Sequence, residues 1–174
     1  EIAALGYTRD FTIYDDGDQL TLIKEGLRAF NLDDKKYPPR NVLYRISAAK
    51  NQLQDPAAYA QRAADLIEQK VAELYAWYQK RLKDLNALDF DDLIMQTVRL
   101  LRENPDLLDY YQKKFRYILV DEYQDTNHSQ YILVKLLAAQ HRNLCVVGDP
   151  DQSIYGWRGA DLNNILSFER DYPD

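Results

Sequence analysis

The sequence predicts an α/β chain whose helical first half gives way to a parallel-sheet second half. Three observations predict it. Apolar residues in the first 86 positions recur at helical spacing. Beyond them, two short apolar runs flank a helical stretch, in the order strand, helix, strand. The charge changes at the same place: residues 1–86 hold 13 Lys+Arg and 13 Asp+Glu, residues 87–174 hold 9 and 15, and the second half carries the whole net charge of −6. Two units are therefore expected, 1–86 and 87–174.

Each element follows from local chemistry. Asp15-Asp16-Gly17-Asp18 is a turn with helix-capping side chains, and Leu20, Ile23, Leu27 and Phe30 follow at helical spacing. Pro38-Pro39 interrupts the chain, after which Val42, Leu43 and Ile46 resume a short helix. Pro56 opens a long helix whose stripe of Ile67, Val71, Leu74, Tyr78 and Leu82 is most simply a packing face. Nothing in this half reads as an active site. Asp89 can cap a helix carrying Phe90, Leu93, Ile94, Val98 and Leu101, which ends near Asn104-Pro105. Tyr117-Ile118-Leu119-Val120 is a strand that meets Asp121-Glu122, and Ile132, Leu133, Leu136 and Leu137 mark the next helix. Leu144-Cys145-Val146-Val147 is a second strand, ending on Gly148-Asp149, with Cys145 expected as buried packing. Ligands of parallel sheets bind beyond the carboxyl ends of the strands, where both acidic clusters fall.

Composition narrows the class. A chain of 174 residues with 46% hydrophobic and 29% charged content is an ordinary globular protein, not a disordered one. No apolar run approaches the roughly 20 residues of a membrane span, and Glu1-Ile2-Ala3-Ala4 has no signal-peptide pattern. The single cysteine excludes an internal disulfide framework and suits a reducing, cytoplasmic setting. His128 and His141 lack metal-ligand spacing, and Lys113, Lys114 and Arg116 read as solvated. Taken alone, −6 argues against a nucleic-acid partner. It is a sum over two unlike units, however, and does not register stacking aromatics or local basic positions.

The chemistry lies at the strand ends. Asp121, projecting from the sheet edge, can hold Mg²⁺ directly or through water, and Glu122 can orient or deprotonate an attacking water. On the Asp-Glu pair alone, an acidic solvated turn is the favoured explanation. The second strand end, Val147 to Ala160, packs three glycines, two large aromatics, Gln152 and Arg158 into fourteen residues. Tyr155 and Trp157 offer faces on which unpaired bases stack. Arg158 suits a phosphate or a carboxylate, and Gln152 can sense a terminal phosphate. The alternative is a structural loop with Trp157 anchored in the core.

Asp121-Glu122-Tyr123-Gln124-Asp125-Thr126-Asn127 resembles the Walker B motif, motif II, of the UvrD/Rep/PcrA helicases of superfamily 1. Gly148 through Ala160 resembles their motif III, Leu88 to Leu93 the segment that re-enters the first motor domain, and residues 1–86 the inserted helical subdomain 1B. The resemblance covers essentially the whole chain. It implies a helical insertion followed by part of a RecA-like, parallel-sheet P-loop NTPase domain, with ATP and Mg²⁺ as cofactors. It implies that Asp121 ligates Mg²⁺, Glu122 is the catalytic base, and Gln152 contacts the γ-phosphate. Tyr155 and Trp157 would stack on single-stranded DNA, Arg158 would link that loop to the nucleotide, and Gln124 and Asp125 would help connect the motifs. The insertion would face duplex DNA at a fork, with Lys35, Lys36, Arg40, Arg45 and Lys50 as candidate phosphate contacts; a solvated face explains these equally well. The implied activity is ATP-driven 3′-to-5′ translocation and unwinding, with repair or replication proteins as partners.

One departure is large. No G-x-x-x-x-G-K-[ST] loop occurs, and none of the six glycines is followed by lysine. By the resemblance, that loop would precede Glu1 and the second motor domain would follow Asp174. The 174 residues are therefore expected to bind ATP weakly without hydrolysing it. Their partial sheet is also expected to leave an edge exposed. The runner-up is a non-catalytic DNA-binding or protein-interaction module. A nuclease using Asp121, Glu122 and Asp125 lacks a suitably placed lysine and leaves Gly148 to Ala160 unexplained.

Overall fold

The computed structural model describes residues 1–156, 159–166 and 168–173, and the chain forms two compact units, Glu1–Leu93 and Ile94–Asp174. The division falls after Leu93 because residues beyond 86 close back onto the first unit. That unit opens with a 3-10 turn, Ile2–Leu5, and strand β1, Thr12–Tyr14. Helices α1 (Asp16–Ala29), α2 (Pro39–Asn51), α3 (Pro56–Arg62) and α4 (Leu66–Asp84) follow, then strand β2, Ala87–Asp89. β1 and β2 pair in parallel, with Thr12, Ile13 and Tyr14 opposite Ala87, Leu88 and Asp89. β1 escapes a reading by periodicity because it has three residues and exists through pairing with a partner about 75 positions away.

Capping starts the helices where the acidic residues stand. The Asp15 side chain accepts from the Gly17 and Asp18 amides at 2.8 and 3.0 Å, and Asp18 accepts from the Asp15 amide at 3.3 Å. The long helix expected from Pro56 is two helices. Ala63 is extended, and Asp65 restarts the chain by accepting the Glu68 amide at 2.7 Å. Val71, Leu74, Tyr78 and Leu82 form the expected packing face, against Leu22, Ile23 and Leu27 of α1 and Val42 and Ile46 of α2. Ile67, assigned to that face, is 39% exposed, since it lies in the first turn after the restart.

Lys50 requires a correction. Expected as a possible phosphate contact, it is wholly buried at the end of α2, with Nζ 2.6 Å from Asp89 and 3.0 Å from Asp92. The Tyr78 hydroxyl also donates to Asp89, at 2.9 Å, and Gln79 donates to Asp92 at 3.1 Å. Lys35, Lys36, Arg40 and Arg45 remain exposed, with Arg45 3.6 Å from Glu68.

Helix α5, Phe90–Glu103, runs across the division, with Asp89 accepting the Asp92 amide at 2.9 Å at its start. Then come α6 (Pro105–Lys114), strand β3 (Ile118–Val120), a 3-10 turn (Tyr123–Asp125), α7 (His128–Ala138) and strand β4 (Leu144–Val146). A 3-10 turn (Pro150–Gln152) and short helices α8 (Asn163–Leu166) and α9 (Phe168–Asp171) complete the second unit. β3 and β4 are parallel, with Ile118, Leu119 and Val120 opposite Leu144, Cys145 and Val146. The helix α6 went unread, although Pro105 stands at its first turn.

The expectation of buried strands is also corrected. Leu119 is 77% exposed and its partner Cys145 is exposed, while the flanking strand residues are half-buried. Side chains alternate along a strand, and no described residue of this unit covers the face that Leu119 and Cys145 share. Among the described residues, no helix is long and apolar enough to cross a membrane.

Candidate active site

The parallel ladder continues past both strands and carries the two acidic segments together. The Val147 amide donates to the Val120 carbonyl at 2.8 Å, and the Tyr123 amide donates to the Val147 carbonyl at 2.9 Å. Asp121-Glu122 therefore emerges beside Gly148-Asp149. Both carboxylates are exposed, and the Asp121 side chain accepts the Glu122 amide at 2.9 Å. Glu122 sits in the left-handed region at φ 50° and ψ 41°. For a residue with a Cβ that conformation costs about 1–3 kcal/mol and persists only where surrounding structure enforces it.

The enforcement comes from the next residues. Tyr123 is buried, its ring edge-on to Phe168 at 5.9 Å, and burial pushes its phenol up to about 12. Gln124 is 0% exposed and uses both ends of its amide. Its Nε2 donates to Glu122 Oε2 at 2.7 Å, and its Oε1 accepts the Asp149 amide at 3.0 Å. A Cβ at position 148 would lie 2.4 Å from Gln124 Oε1 and 2.9 Å from Ile165 Cδ1, so the close approach requires glycine there.

Asp149 organises the loop. Its carboxylate accepts the Asp151 amide at 3.0 Å and the Gln152 Nε2 at 2.8 Å. Gln152 is thus exposed, with its amide turned onto Asp149. Farther along, the Thr126 carbonyl accepts the Asp161 amide at 2.9 Å and Asn164 Nδ2 at 3.0 Å, and Asn127 bridges Ala160. These bonds close the loop back onto the acidic segment. Tyr155 lies on it, 38% exposed. Trp157 and Arg158 lie outside the described residues. Asp125 turns inward, with one carboxylate oxygen buried and unpartnered among the described residues.

The structure thus joins Glu122 and Gln152 through Gln124 and Asp149, with Gly148 giving room for the contact; the sequence places Gly148 and Asp149 at the strand end but gives them no role of their own. The signals were present: a glycine at a strand end, and an Asp before a Pro-Asp turn, which is capping chemistry. Among the described residues no group of three or more His, Cys, Asp or Glu is placed to hold a metal. A divalent ion here would therefore depend on Asp121, water and phosphate oxygens. That donor set suits Mg²⁺, which keeps several waters and takes one or two carboxylates plus substrate phosphates.

Fold and site together define an α/β chain with carboxylates at the ends of parallel strands. The chain belongs to the UvrD/REP helicase N-terminal domain family, whose pattern matches residues 1–173. It is 55% identical over 174 residues to the ATP-dependent DNA helicase PcrA of Bacillus subtilis (strain 168), covering 100% of this chain and 24% of that protein. It is 56% identical over 170 residues to the ATP-dependent DNA helicase PcrA of Staphylococcus aureus (strain Mu50), covering 98% of this chain and 23% of the relative. The chain therefore spans about a quarter of the length of these relatives.

Proposed function

We propose that this chain is the part of an ATP-dependent DNA helicase that holds the hydrolytic carboxylates and the loop reporting on single-stranded DNA. Glu122 acts as general base, receiving the proton of the water that attacks the γ-phosphate. Asp121 holds Mg²⁺, directly or through water; when bound, the ion neutralises charge on the transferring phosphoryl group. Gln152 turns from Asp149 to the γ-phosphate, Arg158 joins nucleotide and loop, and Tyr155 and Trp157 stack on bases. Residues 1–86 serve as the inserted helical subdomain facing duplex or fork DNA, and residues 87–174 as part of the RecA-like motor domain. Translocation runs 3′ to 5′ in the cytoplasm. By itself the chain does not hydrolyse ATP, since no described segment is a lysine-bearing phosphate loop.

One observation supports this most directly. In a chain of this family, the Asp121-Glu122 end of β3 is bonded to the Gly148-Asp149 end of β4, so the hydrolytic and DNA-reporting segments share one frame. The test is Glu122→Gln in the full-length protein, assayed for ATP turnover and for binding of a fluorescent ATP analogue. Loss of a positioned base is expected to lower turnover by about 10²–10⁴-fold, with analogue affinity retained. Turnover at the wild-type rate would overturn the assignment.

A further inference from the structure

We propose that Gln124 is a positioning residue that ties the orientation of the Glu122 carboxylate to the state of the DNA-facing loop. The proposal rests on Glu122 being the base, as proposed above.

The geometry is directional. Nε2 of Gln124 donates to Glu122 Oε2 at 2.7 Å while Oε1 accepts from the Asp149 amide at 3.0 Å. Only a neutral primary amide of this length performs both tasks. An ionised Glu accepts from Asp149 but cannot donate to Glu122, and Met does neither. Burial makes both bonds consequential, because a fully buried amide left half-satisfied is costly. Gly148 leaves room for the Gln124 oxygen, which a Cβ at that position would meet at 2.4 Å.

Asp149 extends the connection. Its amide holds Gln124 and its carboxylate holds Gln152, which gives a continuous hydrogen-bonded path Glu122–Gln124–Asp149–Gln152. A loop movement that carries the Asp149 amide away releases one end of Gln124 and frees the other to rotate off Glu122. Losing the Gln124 donor removes the bond that orients the Glu122 carboxylate.

The experiment compares Gln124→Glu, Gln124→Met and Glu122→Gln in the full-length protein. ATP turnover is measured with and without oligo-dT, and oligo-dT binding by anisotropy. Both Gln124 variants are expected to lower DNA-stimulated kcat about tenfold or more, with KM for ATP within about threefold and oligo-dT affinity unchanged. Gln124→Met, being neutral, separates loss of the donor from an added charge. If Glu122→Gln retains turnover, the base assignment fails and this proposal falls with it. If Glu122→Gln is inactive but both Gln124 variants keep wild-type kcat and DNA stimulation, the positioning role alone is overturned. Should both variants unfold in a thermal melt, wild-type protein labelled with 15N-glutamine decides. The Gln124 side-chain amide must shift as oligo-dT binds, and an unmoved resonance overturns the proposal.

Discussion

Lys50 is a lysine in a basic, helical stretch that sequence reasoning sends to the surface, yet it is the most deeply buried cation described. Burial by itself would push its ammonium down; Asp89 and Asp92 override that and hold it above its ordinary value. Asp92, in turn, is pushed up chiefly by burial even with Lys50 beside it. Removing one partner of a buried ion cluster strands the others, so Lys50→Met should cost about 3–5 kcal/mol, read from the urea midpoint of the chain. The sign with pH follows from the raised folded value. The stability due to Lys50 is fully present below its ordinary 10.5 and is lost as pH rises through the higher folded value. Tyr75 and Tyr78, pushed up mainly by burial, add to the same alkaline loss. Lys50→Met should therefore shrink that limb of the stability curve without removing it; an unchanged limb would count against the assignment. None of this was legible locally, because Lys50 and Asp89 lie 39 positions apart.

Elements were legible wherever a few consecutive residues decide them. Asp15 and Asp89 cap helices as their sequence context indicates, and the stripe Val71, Leu74, Tyr78 and Leu82 faces the core as its spacing demands. The Asn127 side chain accepts the Gln130 amide at 2.9 Å and Gln130 accepts the Asn127 amide at 3.0 Å, a reciprocal cap that starts α7 directly after the acidic segment. Asn127→Ala should lower stability by about 1 kcal/mol in urea unfolding. A change under a few tenths would mean that tertiary contacts alone hold the start of α7. Elements made by distant pairing were not legible. β1 needs β2, and the α3–α4 break needs the Asp65 cap to outweigh an otherwise continuous helical pattern.

On the scale of the whole molecule, apolar strands ending in carboxylates were legible as a parallel sheet, but not which side chains it covers. Leu119 and Cys145 stand exposed on neighbouring strands. Leu119→Ser should accordingly change the stability of this chain by no more than about 0.5 kcal/mol in a thermal melt. A loss several times larger would mean that this face is covered. The net charge of −6 illustrates the same division, since it neither locates the carboxylates nor reveals the paired interior cluster. By itself the sequence determined the family, the stripe Val71 to Leu82, the Asp15 and Asp89 caps and the placement of Asp121, Glu122, Gln152 and Tyr155 beyond the strand ends, all carried by patterns a few residues long. Only the tertiary structure decided that Lys50 is interior, that Leu119 and Cys145 are exposed, and that Gln124 joins Glu122 to Asp149. The physical reason is range. Periodicity and capping act between residues three or four apart, whereas desolvation and hydrogen-bond satisfaction depend on neighbours brought in from 25 to 75 positions away.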